Sequence, residues 1–322
     1  MGYASLVVTV AIIAGIYSLL AIGMNMHWGD TGLLNFAHAA FFAIGAYTSA
    51  ILTTTGGEGL LASRVVGFEF PVVVGLVGGS VLAALAGVVI AVTSVRLEGD
   101  YLAMVTLSSA EMIRLGIKNE AWLTSGAQGI KNIPRPMADA FPLQLGSVTV
   151  GYDLFYLGFL LVIVAASYLA FTRLSESPFG RVLHAIREDE DVPRALGKHT
   201  DVFKLKSFGL GAGVAGLAGA LWAHFFFAIN PSMFLPGLTF TIWAAVIIGG
   251  AGNYLGAIAG TLFVVLTRQV TRFIPGDIPM SSELPFIRLI VIGIALIAIL
   301  YYRPAGLLGD EERLVAGQME AE

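Results

Sequence analysis

Cysteine is absent from the 322 residues, which excludes disulfides, thiolate catalysis and cysteine-based metal sites. Charge is scarce. Asp, Glu, Lys and Arg make up only 12% of the chain, about half the share of an ordinary soluble domain. The five histidines are scattered and form no His-Glu-x-x-His or similar spacing, so metal or acid–base catalysis lacks a framework. No Gly-x-x-x-x-Gly-Lys-Ser/Thr stretch is present, so no phosphate-cradling loop is expected. A net charge of −4 gives no basis for nucleic-acid binding. What abounds is apolar: 57% of residues are hydrophobic and the mean hydropathy is +0.82. At roughly 20 apolar residues per membrane helix, the chain allows about eight to ten spans. The expected fold is an all-α polytopic membrane protein. Residues 1–309 form one transmembrane domain with a cytoplasmic loop at about 173–206, and residues 310–322 form a short cytoplasmic tail with no soluble catalytic domain. The first apolar run lacks a basic leader and a clear cleavage site, so it reads as a retained span.

The 173–206 loop is the one densely charged stretch. It carries Arg173, Arg181, Arg187, Arg194, Lys198, Lys204 and Lys206 among the chain's 18 basic residues, with long apolar runs on both sides. A Lys/Arg-rich loop between spans belongs in the cytoplasm. Ser177 is placed to cap a helix whose first residue is Pro178. Phe179, Val182, Leu183 and Ile186 recur at helical spacing and make one apolar face. A second short helix, Val192 to Leu196, ends at Gly197, a left-handed stop. The apolar face must cover something: either the bilayer surface and the chain's own helix ends, or a soluble partner.

Elsewhere the spans are punctuated. Leu6 to Met26 is the first and Leu33 to Leu52 the second, with Asp30 in the break between them and Asn35 and His38 just beyond. Polar groups at a broken helix mark a solute path or a satisfied tight turn. Phe70 to Val95 carries small residues four apart, which suits close helix packing. Tyr101 to Ile117 follows; Glu111 and Arg114 lie three apart and face each other near its end, as a structural pair. Lys118 to Asp153, broken by Pro134, Pro136 and Pro142, is the longest non-helical stretch, a receptor-facing surface or a lid. After Leu154–Phe171 and the charged loop come a glycine-loaded helix, the short run Leu238–Ile248, then Leu255–Val270 and Leu284–Tyr302. Leu238–Ile248 rises only about 17 Å against a core of about 30 Å, so it recruits neighbours or is a half-helix.

Seven fragments in order, GLLNFAHAAFFAIGAYTSAIL, GDYLAMVTLSSAEMIRL, LTSGAQGI, FGRVLHAIREDEDVPRALGKH, the glycine-rich helix, IIGGAGNYLGAIAGTL and YYRPAGLLG, resemble the LivM-type permease subunit of branched-chain amino acid ABC importers. The resemblance spans about Gly29 to Gly309. It implies a permease in the cell membrane, without enzymatic activity of its own. Its partners would be a homologous permease, two ATP-binding ATPase subunits and an external solute-binding protein. ATP and magnesium would be cofactors of the ATPase, with none in this chain. It also implies that roughly Pro178 to Gly197 sits in a groove of the ATPase. Gly180, Arg181, Arg187, Glu188, Asp189, Ala195, Leu196 and Gly197 occupy the matching positions, while Val192-Pro193 departs from the usual small helix formers.

The reading that follows is inward movement of branched-chain amino acids by alternating access, coupled through the cytoplasmic loop. Urea or short amides are the alternative solutes within the same family. An ion-coupled carrier working alone is the alternative outside it, with Asp30, His38 and Glu111 as its only deep ionisable candidates. Asn35, His38, Tyr47 and Thr106 are the expected lining of the pathway.

Overall fold

The computed structural model describes residues 3–56, 66–94, 96–97, 99–138, 141, 143–145, 148–270, 284–303 and 305–309. The 310–322 tail, Arg272 to Glu283, Pro142 and Pro304 lie outside them. The elements in order are α1 (Tyr3–Asn25), α2 (His38–Thr53), α3 (Val72–Ser94), α4 (Gly99–Asn119), α5 (Ala121–Thr124), the hairpin β1 (Leu143–Leu145) and β2 (Val148–Val150), α6 (Tyr152–Glu176), α7 (Pro178–Glu188), α8 (Asp191–Ala195), α9 (Thr200–Phe226), α10 (Pro236–Gly249), α11 (Tyr254–Val270) and α12 (Leu284–Tyr302). This is an all-α polytopic membrane protein, apart from the short hairpin. Among the described residues, four helices are long and apolar enough to cross a bilayer alone: α1 with its continuation to Asp30, α3, α6 and α9. α2, α10 and α11 are shorter apolar helices, and α4 is long enough but carries Asp100, Glu111, Arg114 and Lys118.

The helices fall into two units of opposite sense. α1 runs toward the end that holds α7, where the Arg187 guanidinium donates to the Gly29 carbonyl. α9 starts beside α8 and runs to the far end, where Ile229 pairs with Ile130 through two 2.9 Å backbone bonds. α2 lies along α9 in the same direction, and Ser49 Oγ meets His224 Nε2 at 2.8 Å. α2 starts well inside, with His38 Nε2 donating to the Leu20 carbonyl of α1 at 2.8 Å. α10 starts beside that point and runs the other way. The Ala39 amide donates to Thr239 Oγ1 at 3.0 Å, and the turn after α10 reaches Asn25, whose Oδ1 accepts from the Gly252 amide at 2.9 Å. α11 leaves toward the far end, and α12 returns, so that Leu307 N donates to Ile248 O at 2.9 Å. Thus α1–α4 and α9–α12 are traversed in opposite senses, each with one full helix, a break and one half-helix, an arrangement recurrent in transporters.

Close backbone approach holds the centre together. A Cβ on Gly45 of α2 would collide with the carbonyl of Gly216 on α9, and a Cβ on Gly79 of α3 would stand 2.7 Å from the Gly45 carbonyl. The small residues noted in α3 and α9 therefore serve packing, where apolar lipid offers helices no hydrophobic drive to associate.

Three sequence expectations need correction. The second span does not begin at Leu33. Residues 32–37 are non-helical and α2 starts at His38, because the amides of Phe36, Ala37 and Ala39 are taken by side chains of Thr106, Asn35 and Thr239. Lys118–Asp153 is not simply loop: it holds α5, a 3-10 turn at Gly126–Gln128 and the hairpin. It also folds onto the end of α9, where the Arg135 guanidinium lies 3.4 Å from the Phe227 ring centroid. Finally, Glu111 is not near a helix end, since α4 continues through Asn119. The short Leu238 run is a half-helix of 14 residues, rising about 21 Å.

Candidate functional site

Two helices protrude at one end of the bundle. α7 starts as its sequence dictates. Ser177 Oγ accepts from the Phe179 and Gly180 amides at 3.2 and 3.5 Å, and Pro178 opens the helix. Gly180 is packed so tightly against Ser175 of α6 that a Cβ would overlap its backbone. α8 covers Asp191–Ala195, and Gly197 adopts φ +77° as expected.

The apolar face of α7 is consumed within the chain. Leu183 and Ile186 are buried with Ile22, Met26, Phe171 and Tyr254, and Phe179 and Val182 pack at the margin. Of the two coverings left open above, the chain's own helix ends take this face. What remains outward is the tip: Glu188 (79% exposed), Asp189, Val192, Ala195, Gly197 and Leu196 (76% exposed). Arg181 lies on the surface, its guanidinium donating to the Glu176 carbonyl at 3.2 Å. Arg187 turns inward to Gly29. The eight residues therefore divide, with Gly180 and Arg187 anchoring, Arg181 on the flank, and the other five at the tip.

Each protruding helix is fastened to a different membrane helix. On the α7 side the hub is Asp30, whose carboxylate is fully buried. It accepts from Tyr254 Oη at 2.6 Å, Ser175 Oγ at 3.1 Å and His184 Nε2 at 3.3 Å. These donors come from α11, α6 and α7, and all three line a cavity of about 400 Å³ beside the hub. Asp30 itself ends a π-helical turn, Met26–Asp30, that extends α1. π turns of this kind are frequent at functional sites. On the α8 side Glu190 bonds Lys204, Thr200 (2.7 Å) and Arg194 (2.9 Å). Burial pushes the Glu190 carboxyl up, but the Lys204 and Thr200 hydrogen bonds and the Lys204 and Arg194 charges outweigh it and hold it below the usual carboxylate range. A lowered folded-state pKa stabilises above the ordinary range and loses that contribution as pH falls through the lowered value. Acidification is therefore expected to release α8 from α9. Lys204→Met should move that release to higher pH, read as hydrogen exchange of residues 190–197.

The four expected pathway residues sit deeper. Asn35 and Thr106 meet at the break. The Asn35 amide nitrogen donates to His27 Nδ1 at 2.8 Å and its oxygen accepts from Ala37 N, while Thr106 Oγ1 accepts from Phe36 N at 3.0 Å. His27 donates from Nε2 to the Phe208 carbonyl at 3.2 Å, which leaves Nδ1 to accept. His38 opens α2 beside them, and its Nδ1 has no hydrogen-bond partner among the described residues. Tyr47 stands apart, nine residues up α2 against Phe234 (ring centroids 5.9 Å), its hydroxyl also unpartnered among the described residues. Thr239, Trp243 (whose Nε1 donates to the Asn35 carbonyl at 3.1 Å), Lys204 and Tyr254 belong to the same constellations. Sequence reasoning had Lys204 only as one of the loop's basic residues and missed Thr239, Trp243 and Tyr254, because an isolated Thr, Trp or Tyr in or beside an apolar run carries no local signal. Among the described residues no three His, Asp or Glu side chains are grouped to hold a metal ion.

Residues 6–300 match the family described as branched-chain amino acid transport system, permease component. The chain is 31% identical to the high-affinity branched-chain amino acid transport system permease protein LivM of Escherichia coli, over 94% of this chain and 69% of that protein. It is 26% identical to a probable LivM permease of Methanocaldococcus jannaschii, over 92% of this chain and 91% of that one. The LivH permease of Escherichia coli is 26% identical, with 92% of each chain covered. No solved structure matches the chain. These relatives are named as permeases, not enzymes. With its multi-pass apolar helices and a match over nearly its full length, the chain belongs to the permease component family of branched-chain amino acid transport systems.

Proposed function

We propose that this permease is one membrane subunit of an ATP-driven importer for branched-chain amino acids, and that α7 and α8 couple it to an ATPase. The α7–α8 end faces the cytoplasm, in keeping with its density of Lys and Arg. The relatives' printed names support the solute class. The occurrence of two related permeases, LivM and LivH, in one organism supports a second, homologous subunit beside this one. Two ATPase subunits and an external binding protein complete the assembly.

The observation that carries the coupling role is the double fastening of the protrusion. α7 is tied through Asp30 and Arg187 to the turn that ends α1. α8 is tied through Glu190 to the first turns of α9. α1 and α9 are the two full helices that precede the breaks. A push on the tip therefore reaches the break after α1 through short polar contacts, and the break after α9 along the length of that helix, without passing through flexible loop. Packed elements that shift between two discrete arrangements, not continuous bending, carry such movements. Alternating access follows if the two opposed units tilt about the central glycine contacts.

Co-purification from native membranes tests the coupling surface. The tagged wild-type chain should bring down an ATPase. Glu188→Ala with Leu196→Asp alters only exposed tip residues, so the chain should stay monodisperse and lose the ATPase. Retention of the ATPase by that variant would move the contact elsewhere.

A further inference from the structure

We propose that the outward face of α4 borders the solute path between this chain and a second permease subunit, and does not face lipid. The proposal rests on the permease reading above. The residues turned out from the bundle on α4 recur at helical spacing: Tyr101, Met104, Ser108, Glu111, Met112 and Leu115. Met112 is 69% exposed and the Glu111 side chain 38%. Glu111 lies eight residues before the end of α4 at Asn119. That places it about 12 Å back from that end of the helix, by the helical rise, about two turns in from the terminus, in a bundle that crosses a hydrocarbon layer about 30 Å thick.

A carboxylate at that depth is unfavourable against lipid and calls for protein or water. Arg114 answers part of the need, as its Nε and Nη2 both bond the Glu111 carboxylate. With that fork made, the Glu111 side chain is still 38% exposed. Ser108, one turn below, is also outside, its hydroxyl bonded to its own helix at Met104 O, 2.8 Å away.

Other outward faces are different. α3 presents Val77, Val81 and Val89, and α12 presents Ile290, Ile294 and Ile297. α12 occupies in the second unit the place that α4 occupies in the first. The two units thus offer one aliphatic surface suited to lipid and one that sets Ser108 and the Glu111 carboxylate among apolar side chains. The inward face of α4 lies directly on the helix break, with Thr106 Oγ1 holding the Phe36 amide at 3.0 Å and Leu102 and Ala110 buried. A path along α4 would therefore pass beside unwound backbone, where movement of the half-helices alters it.

Because the natural chain has no cysteine, each introduced cysteine is the sole thiol of this subunit. Ser108→Cys and Met112→Cys are compared with Val81→Cys and Ile297→Cys in membranes that hold the whole transporter, after leucine uptake by each has been measured. The probe is a charged, membrane-impermeant methanethiosulfonate. The α4 thiols should react about 100-fold faster than those at Val81 and Ile297, the factor set by exclusion of a charge from the hydrocarbon centre. Uptake should fall as they react. Equal, slow labelling at all four positions in variants that still take up leucine would overturn the α4 assignment and leave the permease reading standing. If no ATPase accompanies the chain, it is the permease reading that fails instead.

Discussion

Replacing Asp30 by Ala is expected to abolish uptake while leaving the ATPase bound. The Asp30 carboxylate is fully buried and takes hydrogen bonds from three helices. Tyr254 loses its strongest partner, and a buried orphaned hydroxyl costs about 1–3 kcal/mol. His184 is 30% exposed, so water replaces part of what it loses. The tip residues Glu188 and Leu196 do not touch Asp30, so the docking surface survives. α7 keeps Arg187 on Gly29 and His184 within 3.2 Å of Ser175 on α6, but loses the Asp30 bridge to Tyr254 of α11. ATP hydrolysis should therefore continue with little uptake. Asp30→Asn keeps the volume and one acceptor, and should retain intermediate uptake. Parallel assays of co-purified ATPase and leucine uptake would separate this from simple unfolding, in which both fall together.

Gly45→Ala should abolish the folded protein altogether. The added Cβ meets the backbone of Gly216, and no rotamer change moves a backbone. Overpacking costs about 1–3 kcal/mol when side chains can yield, and more when helices must separate. Here α2 and α9 would have to part, and Gly79 of α3 also rests on the Gly45 carbonyl. Gly158→Ala on α6 is the control. Nothing lies within 4 Å of the Cβ it would add, and that residue is exposed, so thermal stability and monodisperse yield in detergent should be unchanged. A stable Gly45→Ala protein would mean that the close approach is not essential to the core.

What was legible in the sequence was local. Ser177, Pro178 and Gly197 carry their own cap and stop chemistry, and the structure places the cap, the first turn and the left-handed residue where those types demand. The apolar runs marked the helices, and the shortness of Leu238–Ile248 left a half-helix as one of two choices, which the 14-residue α10 settles. What was not legible depends on distant partners. Asp30 stands out as a lone acid in an apolar region, but its donors lie 145, 154 and 224 residues away. The start of α2 could not be read because Thr106 and Thr239 supply the caps from α4 and α10. The Glu111–Arg114 pair followed from spacing, but its depth did not, since α4 carries on through polar residues to Asn119. The opposed sense of the two units is a property of packing and leaves no mark on one chain's residue order.

The most direct measurement is leucine uptake by proteoliposomes holding this chain with its co-purified permease and ATPase partners and an external binding protein. Uptake should require ATP, be lost with the Glu188→Ala, Leu196→Asp variant, and be indifferent to collapse of ion gradients. Leucine accumulation by the chain alone, driven by an ion gradient without ATP, would contradict the coupling role of α7 and α8 and make this a carrier that works by itself.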